Sequence, residues 1–164
     1  MSSFDDLLSD IRARDKDGKL FEVFCKWFLE NDPAWSKKVA QVWLWADYPD
    51  KWQRQDLGTD LVVKDTDGKI WAVQAKCYAE HRTTTKGDMN SFLADSSRET
   101  VTRRLWLQTT NKMEQKAEKT LIGQDKPVTV FKLNDFRNST LDYPSSFAEI
   151  HTAKPKAKPM PDSH

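Results

Sequence analysis

The stretch GTDLVVKDTDGKIWAVQAKCY, residues 58–78, decides the fold. Two runs rich in β-forming residues flank Asp67-Gly68, a dipeptide that accommodates the positive φ angles of a tight hairpin. The stretch therefore predicts two antiparallel strands joined by a turn at 66–69. Three polar residues stand where such strands ordinarily bury apolar ones, namely Asp60, Gln74 and Lys76.

The alternation of side chains along a strand relates these three residues to one another. Side chains of a strand point to opposite faces in turn, which places Gln74 and Lys76 on one face, one pleat apart. Asp60 opens the partner strand and can reach the same end of the sheet, with Gly58 freeing the backbone just before it. Each residue alone is more typical of a strand start or a solvated sheet surface, but their joint occurrence favours a site.

An acid, an amide and an ammonium group at one end of a sheet suit phosphodiester hydrolysis. The Asp60 carboxylate, the Gln74 side-chain oxygen and the backbone carbonyl of Ala75 are the hard oxygen ligands that Mg²⁺ prefers, with Mn²⁺ as a substitute. Such a cation polarises a scissile phosphate and lowers the pKa of a bound water. Lys76 would position that water or stabilise developing negative charge.

Glu22 is the candidate for a further acid at this site. Its neighbours at i+3 and i+7 on the predicted helix, Cys25 and Leu29, are apolar. The carboxylate therefore lies at the margin of the buried stripe, from which it could reach the cation directly or through water. The alternative is an ordinary surface position on the helix.

The rest of the chain predicts alternating helices and strands. Helices are expected at 3–14, 18–30, within 83–99 and at 111–123, and strands at 39–45, 104–110 and 128–133. Together with the hairpin, this order predicts an α/β fold with a mixed central sheet flanked by helices.

Composition limits the class of protein. The 164 residues carry a net charge of +1, which excludes a uniformly basic nucleic-acid binder but allows a local basic face. The two cysteines lack C-x-x-C spacing, which favours a reduced, cytoplasmic protein over a zinc site or a disulfide framework. No apolar run approaches about 18 residues, so no membrane span is expected.

The chain divides at its C-terminal end. Residues 1–150 are expected to form one domain, and residues 151–164, in which Pro and Lys alternate, a flexible linker or tail. Such a linker favours a module that is followed by another domain.

The motifs DLGTDLVV and WAVQAKCY resemble the Mrr-like branch of the PD-(D/E)xK nucleases, in which an Asp is followed by Gln-x-Lys. The resemblance extends over about residues 4–135 and is to the N-terminal domain of large restriction-type helicases. It implies a restriction-endonuclease-like core with Glu22, Asp60, Gln74 and Lys76 at the catalytic positions. Thr59 departs from the Pro of the short motif, at a variable position.

The same resemblance implies partners. Double-stranded DNA is the expected substrate, Mg²⁺ the expected cofactor, and a role in restriction and phage defence the expected context. Helicase or translocase and target-recognition domains would follow the linker, and a transient dimer would make a double-strand break. The chain itself has no GxxxxGK[ST] loop for ATP. Two alternatives stay open: a DNA-binding or targeting module that does not cleave, and a freestanding structure-specific nuclease.

A nuclease also needs phosphate contacts, and loops near the predicted site contain several cations. For each cation, the alternative is an ordinary solvated charge. For Trp52, which lies in the same loops, the alternative to a DNA contact is packing within the protein. The predicted DNA-binding residues are Lys51, Trp52, Arg54, His81, Arg82, Lys86 and Lys112.

Overall fold

The computed structural model describes residues 3–52 and 58–152. In chain order the elements are α1 (Phe4–Arg14), α2 (Lys19–Asn31), β1 (Val39–Leu44), β2 (Leu61–Asp65), β3 (Ile70–Lys76), α3 (Lys86–Asp95), β4 (Val101–Gln108), α4 (Gln115–Leu121), β5 (Val128–Phe131), α5 (Leu133–Arg137) and α6 (Phe147–Thr152).

The five strands form one sheet in the order β1-β2-β3-β4-β5. The first three strands are antiparallel, whereas β3, β4 and β5 run parallel. The predicted hairpin is confirmed, with Leu61 opposite Val73 and a turn in which Gly68 has φ of 82°. Asp65 closes this turn, because its Oδ1 accepts hydrogen bonds from the backbone nitrogens of Asp67 and Lys69, both at 2.9 Å.

The alternation of side chains divides the sheet between two helical layers. Val73 and Ala75 belong to a core shared with α1, α2, α5 and α6, whereas Ala72 packs with α3 and α4 on the other face. The expected α/β fold with a mixed central sheet flanked by helices is confirmed. Gln74 follows Ala72 at the two-residue period and therefore belongs to the face of α3 and α4.

Helix α2 presents an aromatic stripe to the first core. Phe21, Phe24 and Phe28 are fully buried at the helical spacing that the sequence predicts. The helix ends at Asn31, and the Asp32 carboxylate then accepts hydrogen bonds from the backbone nitrogens of Ala34 and Trp35. At the other end of α2, the Asp15 carboxylate accepts hydrogen bonds from the backbone nitrogens of Leu20 and Phe21, which fixes the first turn of the helix, where Glu22 lies.

Two short helices were not predicted from the sequence. Leu133, expected to end a strand, instead begins α5, and Phe136 lies one helical turn later. In α6, Phe147 and Ile150 have the same spacing, and all four residues are buried in the first core. Helices of five and six residues are too short for a periodic pattern to distinguish them from loops.

Most of the predicted linker, from residue 153 onward, lies outside the described residues, so the division at 150 stays a prediction. In the described parts of the chain, no helix combines the length and apolarity needed to cross a membrane.

Candidate active site

A cleft of about 770 Å³ opens at the edge of the sheet where β2 begins and β3 ends. The turn between α1 and α2 forms one wall, and Asp88 and Ser91 of α3 form the other. Asp60, Gln74, Lys76 and Glu22 all line this cleft. The structure therefore brings together the four residues that the sequence predicts as catalytic.

Asp60 is held rigidly at the start of β2. Its backbone nitrogen donates to the Val73 carbonyl at 2.8 Å, and its carbonyl accepts from the Trp45 nitrogen at 2.9 Å. Its side-chain Oδ2 accepts two further hydrogen bonds, from Gln74 Nε2 at 2.5 Å and from the backbone nitrogen of Ala75 at 2.8 Å. The hairpin therefore places Asp60 and Gln74 in direct hydrogen-bond contact.

The two residues before Asp60 fasten the strand start to α3. A Cβ on Gly58 would lie 2.8 Å from the Ser91 carbonyl oxygen, so only glycine allows this close approach. Thr59 Oγ1 donates to Asp95 Oδ2 at 2.6 Å in a buried hydrogen bond. Gly58 is therefore needed for its lack of a side chain, and the expected role in freeing the backbone is not the main one.

Glu22 approaches Asp60 from the other layer. It lies on the first turn of α2 with 12% of its side chain exposed, and Lys19 Nζ is 3.8 Å from its Oε1. Its carboxyl group shares a hydrogen bond with that of Asp60. Two acidic groups thus meet in a corner that is largely closed to solvent.

Burial raises the pKa of Asp60 above its usual value of 3.8, because the charged form loses water. The backbone N–H of Ala75 opposes this shift most strongly, followed by the charge of Lys76. The hydrogen bonds with Glu22 and Gln74 also lower the pKa. The half-buried Lys76 is therefore close enough to stabilise the Asp60 carboxylate electrostatically.

The donor set fits a hard divalent cation. The carboxyl groups of Asp60 and Glu22 share a hydrogen bond, and both would ionise more easily beside a divalent cation. Gln74 donates to Asp60 through its Nε2, so its amide oxygen is left as a further ligand. Among the described residues, no group of three or more His, Cys, Asp or Glu side chains could hold a metal. Any further ligands would therefore be amide or backbone oxygens, water or phosphate. Ala75 contacts Asp60 through its backbone nitrogen, and its carbonyl as a ligand stays a prediction.

The predicted DNA-binding residues lie around the cleft and not in its lining, as far as the structure describes them. Lys51 Nζ donates to the carbonyls of Ala46 and Tyr48. The Trp52 ring packs 4.8 Å from that of Trp45, which favours the packing alternative for this residue. Arg54 lies outside the described residues.

The remaining four candidates lie near α3 and the ends of β3 and β4. His81 and Lys112 border a separate groove of about 420 Å³, and Lys86 is exposed at the start of α3. Arg82 forms two hydrogen bonds with the Asp88 carboxylate, at 3.0 and 2.9 Å, and stacks on the Tyr78 ring. A role in DNA binding stays a prediction for each of them.

The cations that do line the cleft, besides Lys76, are Arg12, Lys16 and Lys19. Sequence reasoning missed all three, because it considered only the cations in loops that follow the predicted strands. The available signal was the segment RARDKDGK, residues 12–19, in which basic residues recur between two predicted helices.

A mixed sheet with an Asp, Gln-x-Lys cluster at its edge defines a restriction-endonuclease-like core. A family model described as "Restriction endonuclease", of the Mrr catalytic type, matches residues 30–153, and the chain belongs to this family. The match includes Asp60, Gln74 and Lys76 but begins after Glu22.

Solved structures give a consistent comparison. The chain is 28% identical to the "ATP-dependent Type ISP restriction-modification enzyme LlaBIII bound to DNA", with a TM-score of 0.71, and the match covers 87% of this chain but 9% of that one. The "DNA modification-dependent restriction endonuclease AspBHI" shares the fold at 15% identity and a TM-score of 0.53, covering 83% of this chain and 36% of that one. A comparison with curated proteins gives no match.

Proposed function

We propose that this nuclease domain hydrolyses phosphodiester bonds of double-stranded DNA with Mg²⁺, or Mn²⁺ in its place. The observation that carries the proposal is the bonded cluster of Asp60, Gln74 and the Ala75 nitrogen, with Glu22 and Lys76 beside it in one cleft. Membership of the restriction endonuclease family supports the same reaction.

Each residue has a role that follows from its position. Asp60, Glu22 and the Gln74 amide oxygen, with the Ala75 carbonyl, would hold the cation. A bound Mg²⁺ polarises the scissile phosphate and makes a water more acidic. Lys76, at the end of β3, would orient the attacking water or stabilise the charge that develops on the phosphate oxygens. The hydrogen bonds to Asp60 hold this carboxylate in place before substrate binds.

We also propose that the domain acts within a larger restriction enzyme. The support is the similarity to an ATP-dependent restriction-modification enzyme, of which the chain spans about a tenth of the length. Helicase or translocase and target-recognition domains would then supply movement and sequence specificity, and two cleavage domains meeting transiently would cut both strands. A freestanding nuclease is the alternative to this arrangement.

Plasmid nicking tests the proposed chemistry. We expect Mg²⁺-dependent nicking by the wild type, and a loss of roughly a hundredfold or more for Asp60→Ala and for Lys76→Ala, because each removes a charged group from the reaction centre. Lys37→Ala, an exposed lysine outside the cleft, is the matched control and should cut like the wild type.

Equal cutting by the wild type, Asp60→Ala and Lys76→Ala would refute the proposed site. DNA binding without nicking by the wild type, in Mg²⁺ and in Mn²⁺, would favour the alternative of a binding module that does not cleave. The neutral Gln74 amide makes this comparison informative, since it contributes one negative charge less than a carboxylate would.

A further inference from the structure

We infer that the α1–α2 wall binds the phosphodiester backbone of the DNA strand that enters the cleft. This wall is residues 12–19, which comprise the end of α1, the connecting turn and the start of α2, and its cations are Arg12, Lys16 and Lys19. The inference rests on the proposed function, which brings a scissile phosphate to Asp60. It assigns DNA contacts to a segment that lies before the family match, which begins at residue 30.

Arg12 anchors this wall to the edge of the sheet. Its Nη2 donates to the Tyr78 carbonyl at 2.7 Å and to the Thr109 carbonyl at 3.2 Å, beyond the ends of β3 and β4. The last turn of α1 is therefore fixed beside Lys76, the residue with which β3 ends. An exposed guanidinium with further N–H groups lies at the mouth of the cleft, where it suits a phosphate.

The acidic residues of the turn are already bonded to its backbone. Asp15 accepts hydrogen bonds from the backbone nitrogens of Gly18, Leu20 and Phe21, at the start of α2. Asp17 accepts one from the backbone nitrogen of Lys19. The N-terminus of a helix stabilises negative charge, which favours both carboxylates at the start of α2. Their hydrogen bonds to the backbone hold the conformation of the turn.

The lysines of the turn face the cleft. Lys16 is exposed, and in the described parts of the chain it has no ion pair or hydrogen bond of its side chain. Lys19 lies 3.8 Å from the Glu22 carboxylate and so connects the wall to the catalytic cluster. Phosphates bound along this wall would therefore lie directly beside the one at Asp60.

A second basic groove serves as an internal comparison. Lys37, Lys38, Lys69 and Arg103 line it beside the β2–β3 turn. This groove lies at the start of β3, about 20 Å along the strand from Lys76. Its cations have the same charge as those of the α1–α2 wall, but they do not lie beside the catalytic cluster. A substitution in this groove therefore shows how much of an effect on DNA binding comes from the change in net charge alone.

Salt-dependent binding of a short fluorescent duplex tests the inference. The 164-residue chain is titrated by anisotropy with Ca²⁺ in place of Mg²⁺, and intact DNA is verified on a gel. We expect Lys16→Glu to weaken binding roughly fivefold or more and to reduce the slope of log K against log salt by about 0.9, the value for one phosphate contact. Lys16→Arg should restore wild-type binding, whereas Lys37→Glu should change the affinity by less than about twofold.

Each outcome decides the inference. Unchanged affinity of Lys16→Glu, equal losses in Lys16→Glu and Lys37→Glu, or no measurable binding by the wild type would overturn it. Thermal melting verifies folding, and Lys16→Gln replaces Lys16→Glu if the latter is unfolded. Nicking by Asp60→Ala is scored separately, so wild-type binding by Lys16→Glu alongside an inactive Asp60→Ala would refute the wall and leave the proposed function standing.

Discussion

Folding moves the Asp60 carboxylate from water into a corner where 7% of the residue remains exposed. Two hydrogen bonds and the charge of Lys76 compensate this transfer in part, yet burial is the larger effect and the pKa is raised. A carboxyl group that is harder to ionise in the folded than in the unfolded state destabilises the fold at neutral pH. Residues placed for chemistry often have such a cost.

We therefore expect Asp60→Asn to raise the free energy of unfolding at pH 7 by about 1 kcal/mol when divalent cations are absent. The raised pKa means that the folded wild type holds its proton more tightly than the unfolded chain. Its stability should accordingly fall as pH rises above the ordinary value of 3.8. Urea unfolding in EDTA over a pH series should show the two proteins diverging with rising pH.

The exposed Asp47 provides the control, because Asp47→Asn removes a carboxylate that is not buried. A lower stability of Asp60→Asn than of the wild type at pH 7 would mean that the hydrogen bonds to the carboxylate outweigh its burial.

At the scale of elements, the contact between the start of β2 and α3 positions the site. Gly58 lets the strand meet the backbone of α3, and Thr59 bonds Asp95 behind it. Asp60 follows immediately, so its place in the cleft depends on how closely the strand start and the helix approach each other.

Gly58→Ala should lower the free energy of unfolding by about 1–3 kcal/mol, because its Cβ would lie 2.8 Å from the Ser91 carbonyl oxygen and 3.1 Å from the Phe92 Cα. The nicking rate should fall as well, because the clash would push the start of β2 away from α3 and so displace Asp60. Both are measurable, by urea unfolding and by the plasmid assay.

Gly87→Ala is the matched control within α3. Its Cβ would meet Thr85 Oγ1 at an ordinary 3.7 Å, and alanine is the better helix former, so stability should rise by up to about 1 kcal/mol. Equal stability of Gly58→Ala and the wild type would show that α3 can move away without loss.

At the scale of the molecule, the charge is near balance and its distribution matters more than its sum. The chain carries +1 in all, and within the described lining of the cleft five carboxylates face four cationic side chains. Without a divalent cation, the cleft is therefore a poor site for a polyanion, although its wall is basic.

DNA binding should accordingly depend on the divalent cation. We expect Ca²⁺ to tighten binding roughly tenfold over EDTA at equal ionic strength, because it neutralises the carboxylates of the cluster. In EDTA, Asp60→Asn should bind DNA more tightly than the wild type for the same reason. Identical dissociation constants in Ca²⁺ and EDTA would contradict this account and place the DNA away from the cluster.

Features of the fold that depend on local patterns in the sequence could be predicted, whereas those that depend on contacts between distant segments could not. The hairpin, the mixed sheet and the shared face of Gln74 and Lys76 follow from two-residue alternation and from one turn dipeptide, both local signals. The helices α5 and α6 were missed, because five or six residues show no clear period. The predicted DNA-binding residues were chosen by their distance along the chain from the strands, which does not report distance in space.

The sequence by itself determined that Asp60, Gln74 and Lys76 share one end of a sheet, since strand geometry leaves few alternatives. Only the tertiary structure decided that Glu22 meets Asp60 from the opposite layer, and that Arg12, Lys16 and Lys19 line the cleft. Strand faces follow from local backbone geometry. The meeting of a helix end and a sheet edge depends instead on the packing of the whole core, in which Phe21, Phe24 and Phe28 set the position of α2.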